Sequence, residues 1–152
     1  MALFDVFNIA GSGMSAESVR LNTVASNLAN ADSVSSSPTN AYKARYPVFQ
    51  AIQSSLMSAG GGIGAGAGID PTQAADASVK VSGIVESTAA GTASYQPGNP
   101  LADANGYVYS SNVNVVEQMA DMISASRSYQ NDAQVLETSK SLMLDTLKLA
   151  QG

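Results

Sequence analysis

From Val115 to Ala150 the chain contains neither glycine nor proline, and apolar residues recur there at alternating spacings of four and three. The series is Val115, Met119, Met122, Ser126, Tyr129, Ala133, Leu136, Lys140, Met143, Leu147 and Ala150, interrupted only by Ser126 and Lys140. A repeat averaging 3.5 residues keeps one stripe turned toward a partner helix, which is the signature of coiled-coil packing. At 1.5 Å per residue such a helix is roughly 54 Å long, which is long for so small a domain. It must lie lengthwise against something.

The other end of the chain supplies a candidate. Phe7, Met14, Leu21 and Leu28 recur every seven residues, with Leu3, Ala10, Val24 and Ala31 in the second seam position and Glu17 as its one charged member. Gly11 and Gly13 lie inside this pattern and cost about 1 kcal/mol each relative to alanine, so the helix depends more on packing than on its own propensity. Two arrangements satisfy the pattern. Either the terminal helices form a hairpin that closes a small core, or the N-terminal helix packs on the C-terminal one and on neighbouring subunits as well.

Composition narrows the function classes. Charged residues make up only 12% of the 152, a low share for a freely soluble monomer because charge repulsion is what discourages association. The net charge of −5, with seven scattered Lys and Arg residues, is the opposite of a nucleic-acid-binding face. There is no cysteine, histidine or tryptophan. Disulfides, thiolate metal sites and the commonest metal ligand and general base are therefore excluded. Residues 1–11 hold Asp5 and no basic segment, unlike a cleavable secretory signal, and no apolar run reaches the length of a membrane span.

The pattern divides the chain into three parts: an N-terminal axial helix at 1–33, a β-rich middle at 34–113, and a C-terminal axial helix at 114–152. The fold class is mainly α, the long terminal helices packing as a coiled coil with a β-hairpin or small β domain between them. The first helix is expected over 2–31, ended by Asn30, Asp32 and a serine run; Asn at a helix end tolerates the left-handed conformation. Tyr42 to Gln50 reads as an edge strand, since Pro47 bars it from a sheet centre. Ser78 to Ser87 reads as a strand with Gly83 at a bulge or close approach. Between them, an Ala- and Gly-rich insertion at about 57–77 includes a low-complexity loop, residues 59–68, with six glycines. Pro97 to Pro100 and Asp103 to Gly106 are turns, and Asn114 is the expected N-cap of the last helix, with Glu117 at capping-box spacing. Glu137–Lys140 and Asp145–Lys148 are acid-first i,i+3 pairs.

Catalytic constellations are not found. Glu117 and Asp121 read as solvated acids near a helix N-terminus, where negative charge is favoured. Ser139 and Lys140 are adjacent and so point to different helix faces. The glycine run lacks the Lys-Ser/Thr ending of a phosphate-binding loop, and Asp103, Asn105 and Gly106 offer too few oxygens for calcium. No catalytic, cofactor or metal residue is assigned.

Three segments resemble the bacterial flagellar basal-body rod proteins, and among them the proximal-rod type. Leu21 to Ser33, with Asn27 and Asn30, is similar to the N-terminal signature of rod and hook-type axial proteins. Gly98 to Val108, with Asn99, Pro100, Gly106 and Tyr107, is similar to the motif that precedes the last helix. Ser124 to Gln130, Val135-Leu136 and Ser141 to Leu144 are similar to the C-terminal helix, while the 57–77 insertion departs from the family pattern. The resemblance implies a structural subunit of the drive shaft that crosses the periplasm, exported through the flagellar type III channel without a cleavable signal. It also implies partners: copies of itself, other rod subunits, MS-ring and rod-adapter proteins and the export apparatus, with no nucleic acid, small-molecule substrate or cofactor. The residues expected to pack between subunits are Phe7, Met14, Leu21, Val24, Leu28, Val115, Met119, Met122, Tyr129, Leu136, Met143 and Leu147. The alternatives are another rod- or hook-type axial protein, or a cytoplasmic coiled-coil binding protein, which would leave the two turn motifs unexplained.

Loop-closure entropy changes slowly with loop length. Shortening residues 60–68 is therefore expected to leave assembly largely intact, scored as swimming motility at matched protein levels. Non-motile cells would mean that the glycine run touches a neighbouring subunit.

Overall fold

The computed structural model describes residues 2–53 and 77–151. The insertion expected at about 57–77, with its glycine loop, lies outside these residues apart from Ala77. The elements are α1 (Ala2–Ala29), β1 (Val34–Ser35), β2 (Arg45–Gln53), β3 (Ala77–Glu86), β4 (Ala93–Tyr95), β5 (Tyr107–Ser110) and α2 (Val115–Gln151). Two long terminal helices thus enclose a small antiparallel β region in the sequence, and they pack along each other as expected.

α1 begins with Asp5 in its first turn, where a carboxylate complements the helix dipole. It ends at Ala29, two residues before the expected boundary, and not through a left-handed asparagine. Among the described residues only Gly106 has a positive φ. Instead the Asn30 side-chain amide donates to the Ser26 carbonyl at 2.8 Å, and Ser33 Oγ donates to the Asn30 carbonyl at 2.7 Å. Both carbonyls also accept backbone N–H groups, from Asn30 and Ser33, at 3.2 Å each, so the side chains add second bonds at the helix end. α2 starts as expected. Asn114 Oδ1 accepts from the backbone N–H of Val116 at 3.1 Å and of Glu117 at 3.4 Å, which is N-cap geometry.

The helices run antiparallel. Asn27 meets Gln118, Arg20 meets Asp121, and Gly13 lies against Asp132. A Cβ on Gly13 would stand 2.7 Å from Asp132 Oδ2, so the glycine leaves room for that carboxylate between the helices. The inward face of α1 is Ala10, Ala16, Thr23, Val24 and Asn27, all buried. The most deeply buried residues of α2 are Gln118, Ala125 and Ser139.

Among the described residues the middle forms two sheets. β1, β5 and β4 make a three-stranded antiparallel sheet with β5 in the centre, and Val108 on β5 is fully buried. β2 and β3 pair antiparallel from Arg45 opposite Glu86 to Gln53 opposite Ala77. Val48 faces Gly83 and Phe49 faces Val81, so Ser82 is an extra residue and the bulge falls beside the expected glycine. With one partner each among the described residues, β2 and β3 are both edge strands there, which accommodates Pro47. Their hairpin lies on α1, tied to it by the Val79 N–H donating to Ser12 Oγ at 3.1 Å.

Gly91 passes directly over the Ser110 carbonyl at the end of β5, and a Cβ there would collide with backbone that has no rotamer to yield. Gly91→Ala is expected to lower the urea midpoint of the subunit by an amount equivalent to about 1–3 kcal/mol. Gly98→Ala, whose Cβ would enter open space, is the matched control and should change little.

Candidate assembly interface

The terminal helices are locked to the β region by one side chain. Asn27 is fully buried, and all four of its hydrogen-bonding positions are used. Its Nδ2 donates to the Arg45 carbonyl and to Gln118 Oε1, each at 2.8 Å. Its Oδ1 accepts from the Arg45 N–H at 2.9 Å and from the Tyr42 hydroxyl at 3.0 Å. One amide therefore joins α1, the entry to β2, and the first turn of α2. Gln118 is also fully buried, and its Nε2 has no hydrogen-bond partner. One turn along the helix pair, Arg20 bridges to Asp121 at 2.9 Å and stands 3.6 Å from Glu17. Burial, together with the Glu117 and Asp121 carboxylates, pushes the Tyr46 hydroxyl pKa upward.

A second set of bonds closes the junction with the last helix. Asn112 Oδ1 accepts from the Ala44 N–H at 2.6 Å, and its Nδ2 donates to the Ala89 carbonyl at 2.7 Å. Ser111 Oγ donates to the Ala31 carbonyl just past α1. The chain entering α2 is thus stitched to the end of α1 and to the strand leads.

The Gly98–Val108 segment is a self-contained scaffold. Asp103 Oδ1 accepts from the backbone N–H of Asn105 at 2.8 Å and of Tyr107 at 2.9 Å. The Tyr109 hydroxyl donates to Oδ2 at 3.3 Å. The bond from the Tyr107 N–H leads in holding the Asp103 carboxyl below the usual range, while desolvation and then Asp103 itself push the Tyr109 hydroxyl up. Gly106 takes φ +80°, and a Cβ there would press on the Tyr95 ring. Asn99 Oδ1 accepts from the Leu101 N–H at 3.0 Å. Together these bonds hold Tyr95, Leu101 and Tyr107 at the surface, the two tyrosine rings meeting edge to face at 5.3 Å.

The residues singled out for subunit packing fall into two groups. Val24 is buried; Phe7, Met14, Leu21, Leu28, Met122, Leu136 and Met143 are half-buried along the helix pair. Val115, Met119, Tyr129 and Leu147 are exposed. α2 turns its small and polar residues toward α1, so its apolar series is centred to one side of that contact. Val116, Ile123, Leu142, Leu144 and Leu149 extend the uncovered apolar surface. Of the motif residues, Asn27 is buried, Asn30 and Asn99 are half-buried, and Pro100 and Tyr107 are exposed. The sequence reading did not single out Gln118, Ser111 or Gly91, and it took Asn112 only as part of the cap that enters the last helix. Isolated polar residues beside turns carry no periodic signal. Of the two expected helix-face ion pairs, Asp145–Lys148 forms at 3.6 Å, while Glu137–Lys140 is not among the ion pairs of the described residues.

Comparison with known proteins fits this geometry. The family model described as flagella basal body rod protein matches residues 7–35, which span most of α1 and its end. The one described as flagellar basal body rod FlgEFG protein C-terminal matches residues 104–149, covering β5 and α2. Both place the chain in the class of flagellar rod-type proteins. The flagellar basal-body rod protein FlgC of Salmonella typhimurium is 48% identical over 151 residues, covering 99% of this chain and 100% of the relative. FlgC of Yersinia enterocolitica is 46% identical over the same span, and that of Buchnera aphidicola from Acyrthosiphon pisum is 37% identical over 153 residues, each covering 99% of this chain and 100% of the relative. The chain belongs to the FlgC family of flagellar basal-body rod proteins. No helix among the described residues is long and apolar enough to cross a membrane.

Asn27→Ala would leave the Arg45 N–H and carbonyl, the Tyr42 hydroxyl and Gln118 Oε1 without this partner. Each buried unsatisfied group costs about 1–3 kcal/mol, so the subunit is expected to lose at least about 2 kcal/mol in urea denaturation. Asn22→Ala, on the exposed side of the same helix, should stay within about 0.5 kcal/mol of the parent.

Proposed function

We propose that this chain is a structural subunit of the proximal rod, part of the drive shaft that carries torque across the periplasm, and that it has no catalytic role. The observation that carries this reading is the uncovered apolar surface of α2. A lone soluble protein rarely exposes so many large apolar side chains along one element, and such surfaces mark contacts with other chains. The relatives' name, flagellar basal-body rod protein, agrees with an assembly as the destination of that surface. Its neighbours are copies of itself and other rod subunits, with the MS-ring and rod-adapter proteins at the base and the type III export apparatus during delivery.

In this reading residues 1–33 and 114–152 form the axial layer and residues 34–113 the part outside it. The exposed seam residues Val115, Met119, Tyr129 and Leu147 meet neighbouring subunits, while Val24, Met122, Leu136 and Met143 hold the helix pair together. α1, with glycines at 11 and 13, gains most of its stability from packing, so its ordering is coupled to assembly. That suits a chain threaded through a narrow export channel before it assembles.

The test is complementation of a strain lacking the gene, scored by motility and by isolation of basal bodies. Met119→Asp and Leu147→Asp change side chains that are exposed in the subunit, so the subunit should fold. Each would bury an unpaired charge at a subunit contact, and both are expected to abolish motility and leave incomplete rods. Glu137→Asp should swim normally. Full motility of both Asp variants would show that the exposed seam meets no neighbour.

A further inference from the structure

A groove of about 460 Å³ opens between α1, α2 and the β2–β3 hairpin. Its walls include Ile9, Phe49, Val79 and Val135, all substantially exposed, and its polar members include Glu17 and Asp132. The groove holds more negative charge than its surroundings neutralise. Arg20 pairs with Asp121 at 2.9 Å and with Glu17 at 3.6 Å, so one cation serves two carboxylates. Glu17 Oε2 is buried without a hydrogen-bond partner, and Asp132 has no ion pair among the described residues. An apolar trough with two carboxylates in it fits an apolar segment that carries one cation.

This chain carries such a segment. Lys140 is the one charge in the apolar series of α2, flanked one turn away on either side by Leu136, Met143 and Leu144. It is exposed and forms no ion pair among the described residues. It cannot reach the groove of its own subunit, because Lys140 lies about 12 Å beyond Asp132 along the same helix. The 54–76 stretch is the other possible occupant from this chain. It contains Asp70 and Asp76 and no Lys or Arg, so it would add negative charge to a trough that already has an excess.

We propose that Lys140 of one copy enters the groove of the next, between Glu17 and Asp132, with the exposed Leu144 against the apolar walls. Groove and seam are different patches of the subunit, so the contact is head-to-tail and propagates from copy to copy, into a ring or a helical array, instead of closing a dimer. The inference rests on the rod-subunit reading above and specifies one contact within it.

The natural chain has no cysteine, which makes a direct test possible. In a strain whose motility depends on this gene, the chain is supplied with Asp132→Cys and Lys140→Cys together, and isolated basal bodies are oxidised. Two cysteines eight positions apart on one helix are too distant for a bond within a subunit, since a disulfide needs Cα atoms within about 7 Å. Dimers and higher multimers on a non-reducing gel are therefore expected, and none from the Asp132→Cys, Glu137→Cys pair. Rods that yield only monomer from the first pair, or equal multimers from both, overturn the contact. If the first pair does not build rods, motility of charge variants decides instead. Lys140→Glu is expected to reduce the motile fraction at least tenfold, and adding Asp132→Lys to restore it. Normal swimming of Lys140→Glu, or no restoration, overturns the proposal and favours the 54–76 stretch or a different subunit as the occupant. The rod-subunit reading fails separately, if the unsubstituted chain restores no rods at all.

Discussion

The fold hangs on a single buried amide. Asn27 joins three parts of the chain that are far apart in sequence, and it does so with no hydrogen-bonding capacity left over. A carboxylate would lose both donors and bring a charge into the interior, and an apolar residue would strand the groups around it. Because Gln118 lies in the first turn of α2 and Arg45 opens β2, this one residue sets where the two helices meet and how the hairpin sits on them. Arg20 and Asp121, one turn along, reinforce the same register through a partly exposed pair of smaller weight.

That register has a consequence for the surface. Polar groups at the centre of the helix pair need partners, and meeting that need turns Gln118, Ala125 and Ser139 inward. The larger apolar residues of α2 are thereby rotated to its flank and outer side. In a monomer this is unfavourable, since apolar area left in water forfeits about 25 cal/mol per Å². In an assembly the same area becomes the cohesive surface. The polar inner contact fixes alignment within a subunit, while the apolar flank supplies area for contacts between subunits.

Charge follows the same division of labour. The chain has few charged groups, and several are paired locally: Arg20 with Asp121, Arg45 with Glu86, and Lys148 with Asp145. Glu17 shares Arg20 with Asp121, while Asp132 and Lys140 stand apart from this pattern in a chain that otherwise neutralises or disperses its charge. An unpaired carboxylate in an apolar groove and an unpaired lysine on an apolar stripe are each unfavourable alone. Brought together between copies, each removes the cost of the other and fixes how the copies align.

Local chemistry determined much of this protein. The two helices were legible because long apolar repeats without proline allow few other structures, and the Asn114 cap and the Asp103–Gly106 turn were legible because those residue types favour those backbone shapes. The segments around Asn27 and Asn99 carried the family in their own letters. What the sequence could not decide was orientation. A 3.5-residue repeat shows that a helix has an apolar stripe, not whether the stripe meets its own chain or another. Tertiary structure decided that the inner contact is built from Asn27, Gln118 and small residues, because the buried Asn27 amide finds all of its partners only there. It also decided that the Asn30 side chain folds back onto the Ser26 carbonyl, that Gly91 must lie against Ser110, and that Glu17 and Asp132 share one groove. These facts depend on groups brought together from distant parts of the chain, and no local pattern records them.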